Sequence, residues 1–163
     1  MKTVVIVGVG ALGSHVVQLL RSVEATVKVI DFDRVEQKNV LSQFHGKPHV
    51  GKGKVQSLAQ TMQFLFGSKI ATIPHKLTPE NDDQLLSGAD LIIDCLDNGE
   101  ARRIVQGFAR RYHTPCLHGA LAADGGFGRV VWDEHFRIDD EAGAGVATCE
   151  GGEHLPFIAI TSA

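Results

Sequence analysis

TVVIVGVGALGSHVVQLL, residues 3–20, decides how this chain folds. Thr3 to Val7 are all β-branched, which suits a pleated strand. The run has no polar member after Thr3, which predicts burial on both faces. Gly8, Gly10 and Gly13 then form G-x-G-x-x-G, and Leu12, Val16, Leu19 and Leu20 return at helical spacing, predicting a helix over 11–23. Between a strand and a helix such glycines have distinct tasks. The first two allow a tight turn and close approach of a phosphate. The third lets helix and strand pack closely, and the amides opening the helix favour an anion.

The same alternation continues outward. Strands are expected at 26–31, 69–75, 89–96 and 114–122, with helices at 53–66, 79–88 and 99–113. GRVVW (128–132) is expected as an antiparallel addition. Strands alternating with helices over short connections predict an α/β, Rossmann-like, doubly wound and mostly parallel sheet, with helices on both faces and the antiparallel strand at its C-terminal side. No repeat or linker divides residues 1–163, so one nucleotide-binding domain is expected. Residues 133–154 are polar and glycine-rich, as a loop would be. LPFIAITSA (155–163) has the character of the first turns of a buried helix, so the domain is expected to be truncated at its C-terminus.

Composition narrows the function classes. A chain of 163 residues can bury a real core without staples. A net charge of −3 and the scatter of its 16 basic residues give no basic field, which argues against nucleic-acid binding. Three cysteines make no disulfide framework, and free thiols suit a reducing cytoplasm. The apolar run after Lys2 is about six residues, too short for a signal peptide. No window approaches the roughly 18 apolar residues of a membrane span. A soluble, cytoplasmic protein is expected.

DFDRVEQKNVLSQF (31–44) follows the second strand. Asp31 stands where a ribose hydroxyl is usually held. That assignment alone suits NAD and ATP equally. Asp33, Asn39 and Gln43 add polar groups that hydride transfer does not need, while a triphosphate does. Asp33 reads equally as a cap for the loop that follows, and Asn39 and Gln43 as turn residues. Lys54 stands in a helix first turn, where a lysine opposes the dipole, which favours a phosphate-directed role. Asp94 and Asp97 in DCLDN lie at the carboxyl end of the fourth strand, where open α/β sheets bind ligands. Asp94 is expected to be buried and structural, and Asp97 to be the magnesium ligand. GKPHVGKG (46–53) imitates a P-loop but has Gly53 where Ser or Thr is needed, and no strand precedes it.

In combination these stretches resemble the adenylating domain of the ThiF/MoeB/HesA family, relatives of ubiquitin-activating enzymes. The matching features, in order, are GVGALG, DFDRVEQKN with Gln43, Gly51 to Lys54, and DCLDNGEAR. A weaker match is ATCEGGEHLPFIAITSA, similar to the loop that carries the family's sulfur-bonding cysteine. The resemblance implies an ATP- and Mg2+-dependent adenylyltransferase acting on the C-terminal carboxylate of a small ubiquitin-like or sulfur-carrier protein ending in Gly-Gly. It implies that Gly8, Gly10 and Gly13 form the nucleotide loop and that Asp31 holds the ribose. Asn39, Gln43 and Lys54 would contact phosphates and Asp97 the metal, with Asp33 beside them. Arg102 would brace the site by pairing with acids. Cys149 would take the acyl group, and a homodimer is expected.

Two departures stand against the match. Ser42 occupies a position that usually holds arginine in the family, and the N-terminal arm that often supplies another is expected to be absent. These departures support one rival, a nucleotide-binding module that has lost catalysis, and the glycine loop with Asp31 alone would suit another, an NAD-dependent Rossmann oxidoreductase. Cys95 and Cys116 are expected as packing thiols. Neither His45 with His49 nor Cys116 with His118 has two further ligands at suitable spacing, so no zinc is expected.

Overall fold

The computed structural model describes residues 1–122, 126–138 and 154–163. β1 (Lys2–Val7) lies at the centre of a six-stranded sheet. It is flanked on one side by β2 (Ala25–Ile30) and then β3 (Ala71–Ile73). On the other side come β4 (Leu91–Asp94), β5 (Cys116–Leu121) and the edge strand β6 (Gly128–Trp132). All pairings are parallel except β5 with β6. The strand order reverses direction between β1 and β4, which places the ligand crevice of such a sheet above those two strands.

β1 is apolar and buried from Val4 to Val7 because helices cover both of its faces. Val5 and Val7 join one core with Ile92, Leu86, Val105 and Phe108. Val4 and Ile6 join the other with Val17, Val29, Leu58 and Met62. The first core is built with α3 (Asp82–Leu86) and α4 (Gly99–Tyr112), the second with α1 (Ala11–Leu19) and α2 (Lys54–Phe66). A further helix, α5 (Leu155–Ser162), packs on α1 through the fully buried Ile158.

The expected elements all form, several of them shorter than their sequence pattern, with β4 covering 91–94 rather than 89–96 and β5 116–121 rather than 114–122. β3 covers 71–73 rather than 69–75, since it pairs only with Lys28 to Ile30 and Pro74 has no amide to continue. α3 covers 82–86 because Asn81 accepts the Thr78 amide and turns the chain just before it. α1 stops at Leu19 and tightens into a 3-10 turn over Leu20–Ser22. Cys149 and the rest of 139–153 lie outside the described residues. No helix among the described residues is long and apolar enough to cross a membrane.

Candidate functional site

The register brings three chain exits side by side. Val7 is opposite Ile30 on one side and Asp94 on the other. Gly8, Asp31 and Cys95 therefore leave the sheet together. The Gly8 amide donates to the Ile30 carbonyl, and the Cys95 amide to the Val7 carbonyl, both at 2.9 Å.

The three glycines have different reasons to be glycine. Gly8 has φ +86°, and a Cβ there would meet the Cys95 carbonyl oxygen at 3.0 Å. A Cβ on Gly13 would lie 1.8 Å from the Gly8 carbonyl oxygen, so helix and strand could not meet. Around Gly10 the nearest atom is Gln43 Nε2 at 3.8 Å, so the fold itself leaves room there. Gly10 opens α1 with no side-chain cap, leaving the first-turn amides to another partner. Gln43 Nε2, a donor, is the side-chain atom nearest this open face, while its Oε1 is buried without a hydrogen-bond partner. An uncapped helix start beside a polar side chain suits a phosphate.

Asp31 is half-buried and already engaged. Its Oδ2 accepts the Val9 amide and its Oδ1 the Asp33 amide, both at 2.8 Å. It ties the glycine loop to β2, and its oxygens retain further lone pairs. Burial pushes its carboxyl up, against the pull of Lys54 and the two amides. Lys54 begins α2 with its ammonium 3.1 Å from Asp33 Oδ2. The main chain sets this pair, since the Lys54 amide donates to the Asp33 carbonyl and the Val35 amide to the Lys52 carbonyl. A lysine that misfits the helix dipole thus has a carboxylate partner from the loop before it.

Asn39 is buried, and its Oδ1 accepts the Glu36 amide at 2.8 Å, capping the short turn over Gln37–Leu41. Ser42 is 1% exposed and its hydroxyl has no partner. The position where the resemblance calls for arginine therefore points inward. Asp97 is exposed, one residue before the Asn98 that caps α4. Among the described residues no three His, Cys, Asp or Glu converge on a metal site. A magnesium ion here would rest on Asp97 plus phosphate oxygens, its usual way of binding beside a nucleotide.

Two supporting histidines were legible only as metal candidates. His45 is buried behind the glycine loop, and its Nε2–H donates to the Val9 carbonyl at 2.9 Å. Burial lowers its pKa to about 4, which leaves it neutral with an unpartnered Nδ1. His118 is fully buried under the β4 exit, with Nδ1 2.6 Å from Asp94 Oδ2 and Nε2 3.1 Å from Asp133 Oδ1. Arg102 Nη1 donates to the same Asp94 oxygen at 2.9 Å, and its Nη2 donates to the Leu96 and Gly119 carbonyls. Asp94 is thus the buried partner of Arg102, and its Oδ1 accepts the Leu96 amide. Burial pushes the thiols of Cys95 and Cys116 up, so neither carries a thiolate at neutral pH.

Comparison with known proteins places these features in context. The ThiF family model matches residues 1–148. "Adenylyltransferase and sulfurtransferase MOCS3" of Xenopus laevis is 36% identical over 107 residues, covering 63% of this chain and 24% of that protein. "Sulfur carrier protein adenylyltransferase" of Thermus thermophilus is 33% identical over 122 residues, covering 73% and 45%. The chain thus spans less than half the length of these relatives. Among solved structures, the E. coli tRNA N6-threonylcarbamoyladenosine dehydratase TcdA superposes with a TM-score of 0.70 at 23% identity, over 75% of this chain and 53% of that one.

Proposed function

The chain belongs to the ThiF family, and on that premise we propose that it adenylates the C-terminal carboxylate of a small ubiquitin-like or sulfur-carrier protein. The observation that carries this reading is the grouping, at the carboxyl ends of the central strands, of an open Gly10, the Gln43 Nε2 donor beside it, the Lys54–Asp33 pair and an exposed Asp97. The family relatives named adenylyltransferases support it. The common sheet supports taking residues 1–163 as one adenylating domain.

In this reading the glycine loop and the first turn of α1 hold phosphates, and Asp31 accepts a ribose hydroxyl on its remaining lone pairs. Asn39 keeps its oxygen on Glu36 and offers its amide N–H, with Gln43, to phosphate oxygens. Lys54 exchanges Asp33 for a phosphate, and Asp33 steadies it between turnovers. Magnesium held at Asp97 supplies charge neutralisation at the triphosphate when bound. The carrier's carboxylate oxygen bonds to the α-phosphorus as the bond to the bridging oxygen breaks, and pyrophosphate leaves. Cys149 as thiolate then attacks the acyl carbon, giving a thioester and releasing AMP. A Gly-Gly terminus would thread such a site without side chains, and we take the working form to be a homodimer.

Pyrophosphate exchange with candidate Gly-Gly carrier proteins tests this function: exchange that Asp97→Ala abolishes supports it. Calorimetry with magnesium-ATP against NAD tests the nucleotide, and tight NAD with no ATP would sink the reading. One observation favours a second reading, nucleotide binding without turnover. The inward, unpartnered Ser42 delivers no cation to the transferring phosphate. ATP binding with no exchange for any carrier is its signature.

A further inference from the structure

The proposed chemistry makes no use of His118 or Asp133, yet the two lie at one end of a buried polar chain that reaches the Asp97 loop. Leu96, which immediately precedes Asp97, has both backbone polar groups tied into this chain. Its amide donates to Asp94 Oδ1 at 2.9 Å, and its carbonyl accepts from Arg102. Asp94 is fully buried, and its second oxygen is shared between Arg102 and His118. The backbone that orients Asp97 is therefore set by how Asp94 stands, and Asp94 stands where two donors hold it.

His118 has no freedom to turn away from that oxygen. Its ring stacks on Phe136 with centroids 4.1 Å apart and planes 5° off parallel. Its far nitrogen meets Asp133 Oδ1. Asp133 is fixed in turn by Gln106 and Arg110, each at 2.8 Å from α4. Burial pushes the Asp133 carboxyl up, but its bonds to Arg110, Gln106 and His118 hold it below the ordinary value. Such outer partners commonly decide the orientation of the group that touches a ligand.

We propose that His118 is a positioning residue for the Asp97 loop, acting through Asp94 and held in register by Asp133. This rests on the reading of Asp97 as the carboxylate on the metal side of the nucleotide. A histidine serving only to fill the core would stabilise the whole sheet without preference for that loop.

Amide hydrogen exchange on the full chain separates the two roles. Cys95 is the internal control, because its amide bonds to Val7 in the sheet. In His118→Leu the Leu96 amide is expected to exchange about 10-fold faster relative to Cys95. His118→Asn, whose Nδ2 can reach Asp94, restores the protection, whereas His118→Gln, which reaches toward Asp133, does not. Asp133→Asn keeps the volume and is expected to give the same selective effect at about threefold. By calorimetry, magnesium-ATP affinity falls about 10-fold in His118→Leu while magnesium-free ATP is unaffected. Equal acceleration at Leu96 and Cys95 overturns the proposal, as does an equal loss of both ATP affinities. A wild-type chain that binds no ATP overturns the functional reading instead, and the exchange comparison then decides the positioning role by itself.

Discussion

Gly13 and Gly10 differ by what surrounds them, and the difference is measurable. In Gly13→Ala the new Cβ would lie 1.8 Å from the Gly8 carbonyl oxygen, so backbone must move. We expect a loss of about 3 kcal/mol or more in urea unfolding, together with loss of ATP binding. In Gly10→Ala the nearest atom is 3.8 Å away. Stability should change by less than about 1 kcal/mol, while ATP affinity in calorimetry falls at least about 10-fold because the methyl occupies the phosphate approach. His45 makes a second residue-scale prediction. The unfolded chain takes up its proton near pH 6.5 and the folded chain near pH 4, so the unfolded state binds more protons in between. Its contribution is complete above pH 6.5 and is lost as pH falls toward 4, by roughly 3 kcal/mol. His45→Gln keeps an N–H for Val9 and does not titrate, so its unfolding free energy should fall less between pH 7 and pH 4.5 than that of wild type.

At the scale of elements, α4 sets where Asp97 and Arg102 stand. Asn98 Oδ1 accepts the Ala101 amide at 2.8 Å, so Asn98→Ala should cost about 1 kcal/mol in unfolding. The opposite end is imperfect. His113 closes α4 with φ +52°, a left-handed conformation that costs a residue with a Cβ. His113→Gly should raise stability by up to about 1 kcal/mol, read as a higher urea midpoint with unchanged slope. The strands and helices were legible because their signals are local, unbroken β-branched runs for the strands and a period of 3.6 for the helices. Their ends were less so. β3 ends at Ile73, where β2 ends at Ile30 and Pro74 follows, yet it starts only at Ala71 although β2 extends back to Ala25.

At the scale of the whole molecule, the site is a product of strand order. The loops after β1, β2 and β4 come from residues some 90 apart in the chain, and parallel pairing through β1 brings them to one edge, that of the carboxyl ends of the strands. The proposed function predicts a clean separation of steps on that edge. Cys149→Ser should retain pyrophosphate exchange at close to the wild-type rate, since the cysteine enters after adenylate formation. It should lose the thioester, seen as the missing reductant-sensitive band on a non-reducing gel. Loss of both activities would place Cys149 in the first step and break the proposed order.

The sequence alone determined the fold class, because β-branched runs, glycine spacing and helical periodicity are short-range patterns written in consecutive residues. It also singled out the acids, amides and lysine of the candidate site, since Gly8, Gly10, Gly13, Asp31 and Lys54 fall at recognisable offsets. Tertiary structure decided how those groups are engaged. Asp31 is drawn onto the Val9 amide, Lys54 onto Asp33, Asn39 into a cap and Ser42 inward, and none of these follows from spacing. The resemblance implied that Arg102 pairs with an acid and the sequence that Asp94 is buried, but the chain extending from them through His118 to Asp133 was out of reach of the sequence for the same reason. Its members come from α4, β4, β5 and the turn after β6, and only burial in a common interior, where each polar group must find a partner, brings them together.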